Sequence, residues 1–237
     1  MSPESRADRA DAGGRPLRKL VLLSRKGGTG KTTLSVNLAV AALREGLGVS
    51  IVDLDLQGSA TAWAAGRKNA APDVRPANGG TLFPVANAAE RAGRDLLIID
   101  TPAGGDAISG AAIRLADLAI LVCRPSYFDL AALVPAAQAV REAGKPGLIV
   151  LNQAPSRRAG QESPVIARAV EAARALGFPI APVGLRARVA FQESLWRGLG
   201  VLEFEPRSPA AAEIGRLWSE VADTLWPDRV EHRGAAE

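Results

Sequence analysis

From Lys19 onward the chain alternates short apolar runs with stretches of helical periodicity, and that alternation limits the fold more than any other feature. "KLVLLS" precedes a helical pattern from Lys31 to about Glu45, "VSIVDLD" precedes "ATAWAAGRK", and "DLLIID" precedes "ISGAAIRLA". "LAILVC" then leads into "LAALVPAAQAVREA", "GLIVLN" into "PVIARAVEAARALG", and "PIAPVGL" into "VAFQESLWRG". Runs that stay apolar at successive positions suit strands covered on both faces. The pattern predicts an α/β fold in a single domain, with a mostly parallel sheet flanked by helices on both faces. Right-handed crossovers would put ligand sites at the carboxyl ends of the strands. A last helix is expected from about Ser208 to Trp226, stopped by Pro227, and "RKNAAPDVRPANGG" reads as a loop or one short edge strand. The boundaries that follow are a tail without apolar periodicity over 1–17, a globular domain over 18–227 and a polar tail over 228–237.

A chain of 237 residues that is 47% hydrophobic can bury a full single-domain core. Its one cysteine, Cys123, excludes an internal disulfide framework and lies in an apolar run, where it reads as a small buried hydrophobe. No apolar run approaches the roughly 18 residues a bilayer span requires. The charged N-terminus "MSPESRADRADAGGRP" lacks the apolar core of a signal segment. The expectation is a soluble cytoplasmic protein with no membrane partner. An excess of 29 basic over 25 acidic residues, with pI near 9.7, permits an anionic partner without requiring one.

The chemistry concentrates where the first apolar run hands over to the first helix, in "VLLSRKGGTGKTTL". Gly27, Gly28 and Gly30 allow a tight turn that exposes successive backbone N–H groups to an anion, and the helix start adds partial positive charge. A di- or triphosphate suits that place. Lys31 can neutralise β and γ phosphates, and the Thr32 hydroxyl can ligate a bridging Mg2+. The usual phosphate-loop pattern nevertheless fails, because it needs glycine at 25, where the chain has Arg25, and a second lysine, Lys26, stands five positions before Lys31. In "DLDLQGSATAW" Asp53 and Asp55 are two apart, so on an extended strand their carboxylates would share a face beside the loop. In "RDLLIIDTPAGG" Asp100 ends an apolar run before a glycine pair, a place for a carboxylate that holds a metal-bound water.

On these motifs the chain resembles the ParA/MinD family of deviant Walker-A ATPases, whose loop reads K-G-G-x-G-K-[ST]; here it is Lys26-Gly27-Gly28-Thr29-Gly30-Lys31-Thr32, followed by Thr33. The resemblance covers roughly residues 19 to 226 and implies a P-loop NTPase-type sheet, ATP and Mg2+ as cofactors, and slow hydrolysis. It also implies an ATP sandwich dimer in which Lys26 reaches the partner's phosphates. Placing positive charge in trans would make phosphoryl transfer depend on pairing. It assigns Lys26, Lys31 and Asp55 to catalysis, with Asp55 positioning the attacking water. Gly27 through Thr33 are assigned to the nucleotide, and Thr32, Asp53 and Asp100 to the metal. Asn152, in "LIVLNQ", matches an asparagine that hydrogen-bonds adenine, although an asparagine there also suits capping of a strand end. Leu56 stands where the family usually has proline, and Ala103 where a second proline is frequent.

The cargo has to be read outside the ATP site. The stretch after Trp226 offers no apolar face for a membrane helix, and a single cysteine cannot supply the paired ligands of cluster-carrying relatives. Between Leu151 and Arg216 nine arginines face six glutamates, an excess of three, which with the resemblance points to nonspecific double-stranded DNA bound through phosphates. Arg188 matches a family DNA contact, and Arg186, Arg197 and Arg216 are candidates beside it. The resulting expectation is a DNA-partition ATPase, associated with the nucleoid and released by a ParB-type or other small adaptor protein. It would be too short ahead of its first strand for an N-terminal helix-turn-helix domain. Two alternatives stay open: a positioning ATPase for a protein cargo, such as a chemoreceptor cluster or carboxysomes, and a nucleotide-binding switch with negligible turnover.

Overall fold

The computed structural model describes residues 15–104, 106–157, 159, 161–182 and 184–228. Six strands, β1 Arg18–Leu23, β2 Val49–Asp53, β3 Asp73–Pro76, β4 Leu96–Asp100, β5 Leu118–Cys123 and β6 Gly147–Leu151, form one sheet in the order β3-β2-β4-β1-β5-β6. Every pairing is parallel. The helices are α1 Lys31–Arg44, α2 Ser59–Ala65, α3 Leu82–Arg91, α4 Asp106–Leu115, α5 Tyr127–Glu142, α6 Pro164–Arg174, α7 Val189–Trp196, α8 Val201–Phe204 and α9 Pro209–Leu225.

Strand alternation divides the core into two layers. Leu20 and Leu22 of β1 pack with Leu34 and Leu38 of α1 and with Ile214, Leu217 and Trp218 of α9. Val21 and Leu23 point the other way, into the layer made by α3, α4, α5 and α6. Both faces of the sheet are thus covered, and for this reason the strands are continuously apolar in sequence. β1 lies between β4 and β5, so the loop after it opens at the middle of the sheet's carboxyl edge. Ser208 caps α9 by accepting from the Ala211 N–H at 3.2 Å, with Pro209 in the first turn, and the helix ends at Leu225.

Three expectations change. The described residues of "PIAPVGL" form no strand: Pro179 and Pro182 have no N–H to donate, and the segment meets β6 through the isolated bridge of Ile149 to Ile180 and through the Leu185 N–H, which donates to the Leu151 carbonyl at 2.9 Å. Helix α3 was not foreseen, although Leu82, Ala86 and Ala89 repeat at helical spacing and are its buried residues. The second helix stops at Ala65, where Gly66 caps it. The open reading of residues 67–80 resolves as the edge strand β3. Expectations for residues 1–14 and 229–237 lie outside the described residues. Among the described residues no helix is long and apolar enough to cross a membrane.

Candidate functional site

The loop between β1 and α1 is held from outside by side chains, which leaves its inner surface to a ligand. Asn152 Nδ2 donates to the Thr29 carbonyl at 2.7 Å and Gln153 Nε2 to the Gly28 carbonyl at 2.8 Å. Ser24 Oγ and Thr29 Oγ1 both donate to the Lys26 carbonyl, at 3.2 and 3.4 Å. Gly28 (φ 71) and Gly30 (φ 90) turn the chain in the left-handed region. Gly30 also lies against Asn152, where a Cβ would sit 2.3 Å from Nδ2. The inner surface opens into a cleft of about 850 Å³ lined by Gly27, Gly28, Gly30, Lys31, Thr32, Thr33, Asp55 and Ala103, with Trp63 and Trp196 at its apolar side. Thr29 is buried and faces away from it, and Asn152, itself buried, is committed to the loop.

Lys31 is only 7% exposed, and burial lowers its pKa against the opposing charges of Asp100 and Asp55. An ammonium desolvated in this way gains more from a phosphate than one already in water. Asp100, at the end of β4, is fully buried. Burial pushes its carboxyl up to about 6 and the Asp53 charge adds to this, while the Thr32 and Ser35 hydroxyls and Lys31 pull the other way. Ser35 Oγ donates to Oδ1 at 3.1 Å, whereas Oδ2 has no hydrogen-bond partner among the described residues. Such an orphaned buried oxygen beside a threonine at a phosphate loop fits an outer partner of Mg2+, an ion that takes one or two protein groups together with phosphates and water. Among the described residues no three His, Cys, Asp or Glu side chains gather into a cage of their own.

The two carboxylates of the "DLD" stretch diverge. β2 ends at Asp53, so strand alternation does not extend to Asp55. Asp53 is 2% exposed; its Oδ2 accepts from the Thr61 N–H and hydroxyl, both at 2.9 Å, and its Oδ1 from the Asp55 N–H at 3.2 Å. It fastens the loop to the start of α2, with its oxygens engaged by the protein. Asp55 lines the cleft, and its Oδ1 accepts from the neighbouring Gln57 N–H at 3.0 Å. Leu56 beside it is 97% exposed.

A family model described as the CobQ/CobB/MinD/ParA nucleotide binding domain matches residues 20–212. The chain belongs to this family. "Maintenance of carboxysome distribution protein A" of Gloeobacter kilaueensis is 34% identical over 215 residues, covering 88% of this chain and 95% of that protein. "Chromosome-partitioning ATPase Soj" of Thermus thermophilus is 27% identical over 239 residues, covering 86% of this chain and 95% of its own. A solved ATP complex of a Cyanothece McdA variant has the same fold, with a TM-score of 0.71 at 18% identity over 90% of this chain and 97% of that one.

In this ParA/MinD-family chain the first lysine stands apart from the cleft. Lys26 Nζ lies 3.2 Å from Asp129 Oδ1 and 5.4 Å from the Phe128 ring centroid, both at the start of α5. Sequence reasoning missed Asp129 and its second partner Arg124. The available signal was Ser126-x-x-Asp129, a helix-start pattern, and Ser126 Oγ does accept from the Asp129 N–H at 3.2 Å. Gln153, which holds the phosphate loop, was missed as well.

The arginines named from sequence separate into three kinds. Arg186 and Arg188 line a second cleft of about 750 Å³ between α6 and α9, together with Arg157 and Arg216. Arg186 is bidentate to Glu162, at 2.6 and 2.7 Å, and donates to the Pro155 carbonyl; this pairing, reinforced by Arg157, draws the Glu162 carboxyl down to about 2. Arg188 is held by the buried Glu213, with its closest contact at 2.6 Å. Arg216 is exposed on α9. Arg197 lies outside this cleft, 5.0 Å above the Phe204 ring and 3.9 Å from Glu193. Cys123 is buried, and burial followed by the Asp129 charge pushes its thiol up to about 12, so it has no thiolate at neutral pH.

Proposed function

We propose that the protein is an ATP-hydrolysing positioning factor that pairs through its nucleotide and distributes a protein assembly over DNA. The observation that carries the reading is the placement of two lysines on one loop: Lys31 lines the cleft, and Lys26 lies outside it with 38% of its side chain exposed. Gly27 through Thr33 would cradle the triphosphate of ATP, Lys31 neutralising it. Thr32 and Asp100 would hold Mg2+, which supplies charge neutralisation between β and γ phosphates. Asp55 would orient the attacking water, and Lys26 of each protomer would complete the other's site. Asp53 acts in this scheme by holding Asp55's loop, and Asn152 by holding Thr29.

The choice of a protein cargo is supported by the 34% identical relative, whose name assigns it to carboxysome distribution. Partition of DNA with a ParB-type or other small adaptor protein is the second reading, favoured by the match to Soj. Both readings use nonspecific double-stranded DNA as track, through phosphate contacts that salt weakens. Arg216 and Arg197 are the exposed candidates for those contacts, with Arg186 and Arg188 behind their carboxylates.

The test is light scattering of the purified protein with ADP, ATP and no nucleotide, followed by DNA binding in the same three states at two salt concentrations. Dimer and salt-sensitive DNA binding are expected with ATP only, and Lys26→Ala should bind nucleotide yet stay monomeric. Full hydrolysis by a monomer would overturn the proposal.

A further inference from the structure

Asp129 is the third residue of α5 and its side chain is 2% exposed, so its carboxylate is a fixed, buried anion at the edge of the phosphate loop. Two cations hold it. Arg124, the residue after β5, donates through Nε to Oδ2 at 2.5 Å, through Nη2 to Oδ1 at 3.2 Å, and through its backbone N–H to Oδ2 at 3.3 Å. Lys26 adds one contact, to Oδ1 at 3.2 Å. Burial by itself would raise the Asp129 pKa, but the hydrogen bonds and charges of Arg124 and Lys26 outweigh it and hold the carboxyl below its usual range, so the group is ionised at neutral pH.

The two cations differ in how readily they leave. A buried carboxylate stripped of all partners is costly, whereas one that keeps a guanidinium fork remains compensated. Arg124 supplies that fork from a residue adjoining the sheet. Lys26 is a flexible side chain on a loop, in single contact with Asp129 and resting on the Phe128 ring.

We propose that Asp129 is a positioning residue for Lys26: in the free protomer its carboxylate holds the Lys26 ammonium in cis, and dimer formation transfers that ammonium to the partner's phosphates while Arg124 stays behind to compensate Asp129. The inference rests on the dimer reading above. It gives the pairing step a threshold, because each protomer releases an internal ion pair before engaging its twin.

The opposite roles of Asp129 and Arg124 supply the test, which uses the full chain, a non-hydrolysable ATP analogue and sedimentation equilibrium. A half-exposed ion pair is worth about a three-fold factor, and two latches act in every dimer, so Asp129→Asn should tighten dimerisation by about ten-fold. Arg124→Gln leaves Lys26 as the main cation at Asp129 and should weaken dimerisation by several-fold. A purely structural role for Asp129 would weaken dimerisation in both variants, and that result overturns the proposal. The double variant Lys26→Ala with Asp129→Asn should remain monomeric; a dimer would show that the gain does not pass through Lys26.

An independent measurement covers the case where Asp129→Asn folds poorly or the wild type does not pair. In the nucleotide-free protein, acetylation of the Lys26 amine read by mass spectrometry should be about three-fold faster in Asp129→Asn and slower in Arg124→Gln. Unchanged rates refute the cis latch even if the wild type dimerises. Altered rates with a monomeric wild type refute the transfer together with the dimer reading.

Discussion

Replacing Asp100 with asparagine isolates the cost of holding a carboxylate under the phosphate loop. The side chain is fully buried, with Oδ1 on Ser35 and Oδ2 unpartnered among the described residues, and its pKa rises from 3.8 to about 6. A raised carboxyl binds its proton more tightly in the native state than in the unfolded chain. Its contribution is therefore intact below 3.8, falls as pH climbs from 3.8 to 6, and is constant above that. A rise to about 6 corresponds to about 3 kcal/mol lost by pH 8, of which roughly half accrues between pH 5 and pH 8. Asp100→Asn removes this titration, while any packing or hydrogen-bond cost of the amide is the same at both pH values. In urea unfolding with EDTA and without nucleotide, the variant should gain about 1 kcal/mol on the wild type between pH 5 and pH 8. With ATP bound, Mg2+ should raise the wild-type midpoint further and leave the variant where it was. Parallel pH curves, or equal stabilisation of both proteins by Mg2+, would refute the reasoning.

Three further predictions concern the loop and the basic cleft. Gly30→Ala combines a left-handed φ of 90 with a Cβ 2.3 Å from Asn152 Nδ2, so it should cost about 1–3 kcal/mol on thermal melting and lower ADP affinity at least ten-fold by calorimetry. Arg216→Glu, on an exposed position, should weaken nonspecific DNA binding with the melting temperature unchanged and reduce the salt slope by about 1. Arg188→Glu would instead set a carboxylate against the buried Glu213 and cost roughly 3 kcal/mol or more, so its gel shift has to be read beside its melting curve.

The fold was legible because the information that specifies it is local. Continuous apolar runs declare strands covered on both faces, and each is followed by its helix, as with "LAILVC" and α5. The phosphate loop was legible for the same reason: its glycines, Lys31 and Thr32 are consecutive, and backbone geometry at the strand-to-helix turn follows from residue type. Where side chains obey the tertiary surroundings, sequence spacing was a weaker guide. Asp53 and Asp55 are two apart, yet one is fastened to Thr61 and the other lines the cleft, because β2 ends between them.

The amino-acid order by itself determined the parallel α/β sheet, the anion-binding turn and the presence of two lysines around it, since each depends on neighbours within a few residues. Only the tertiary structure decided which groups are free to act. It brought Asp129 and Arg124, about a hundred positions away, to Lys26; it placed Glu162 and Glu213 on Arg186 and Arg188; and it left one oxygen of Asp100 without a partner among the described residues. Ion pairing and burial are set by distance in space, and distance in space is not written in the spacing of residues along the chain.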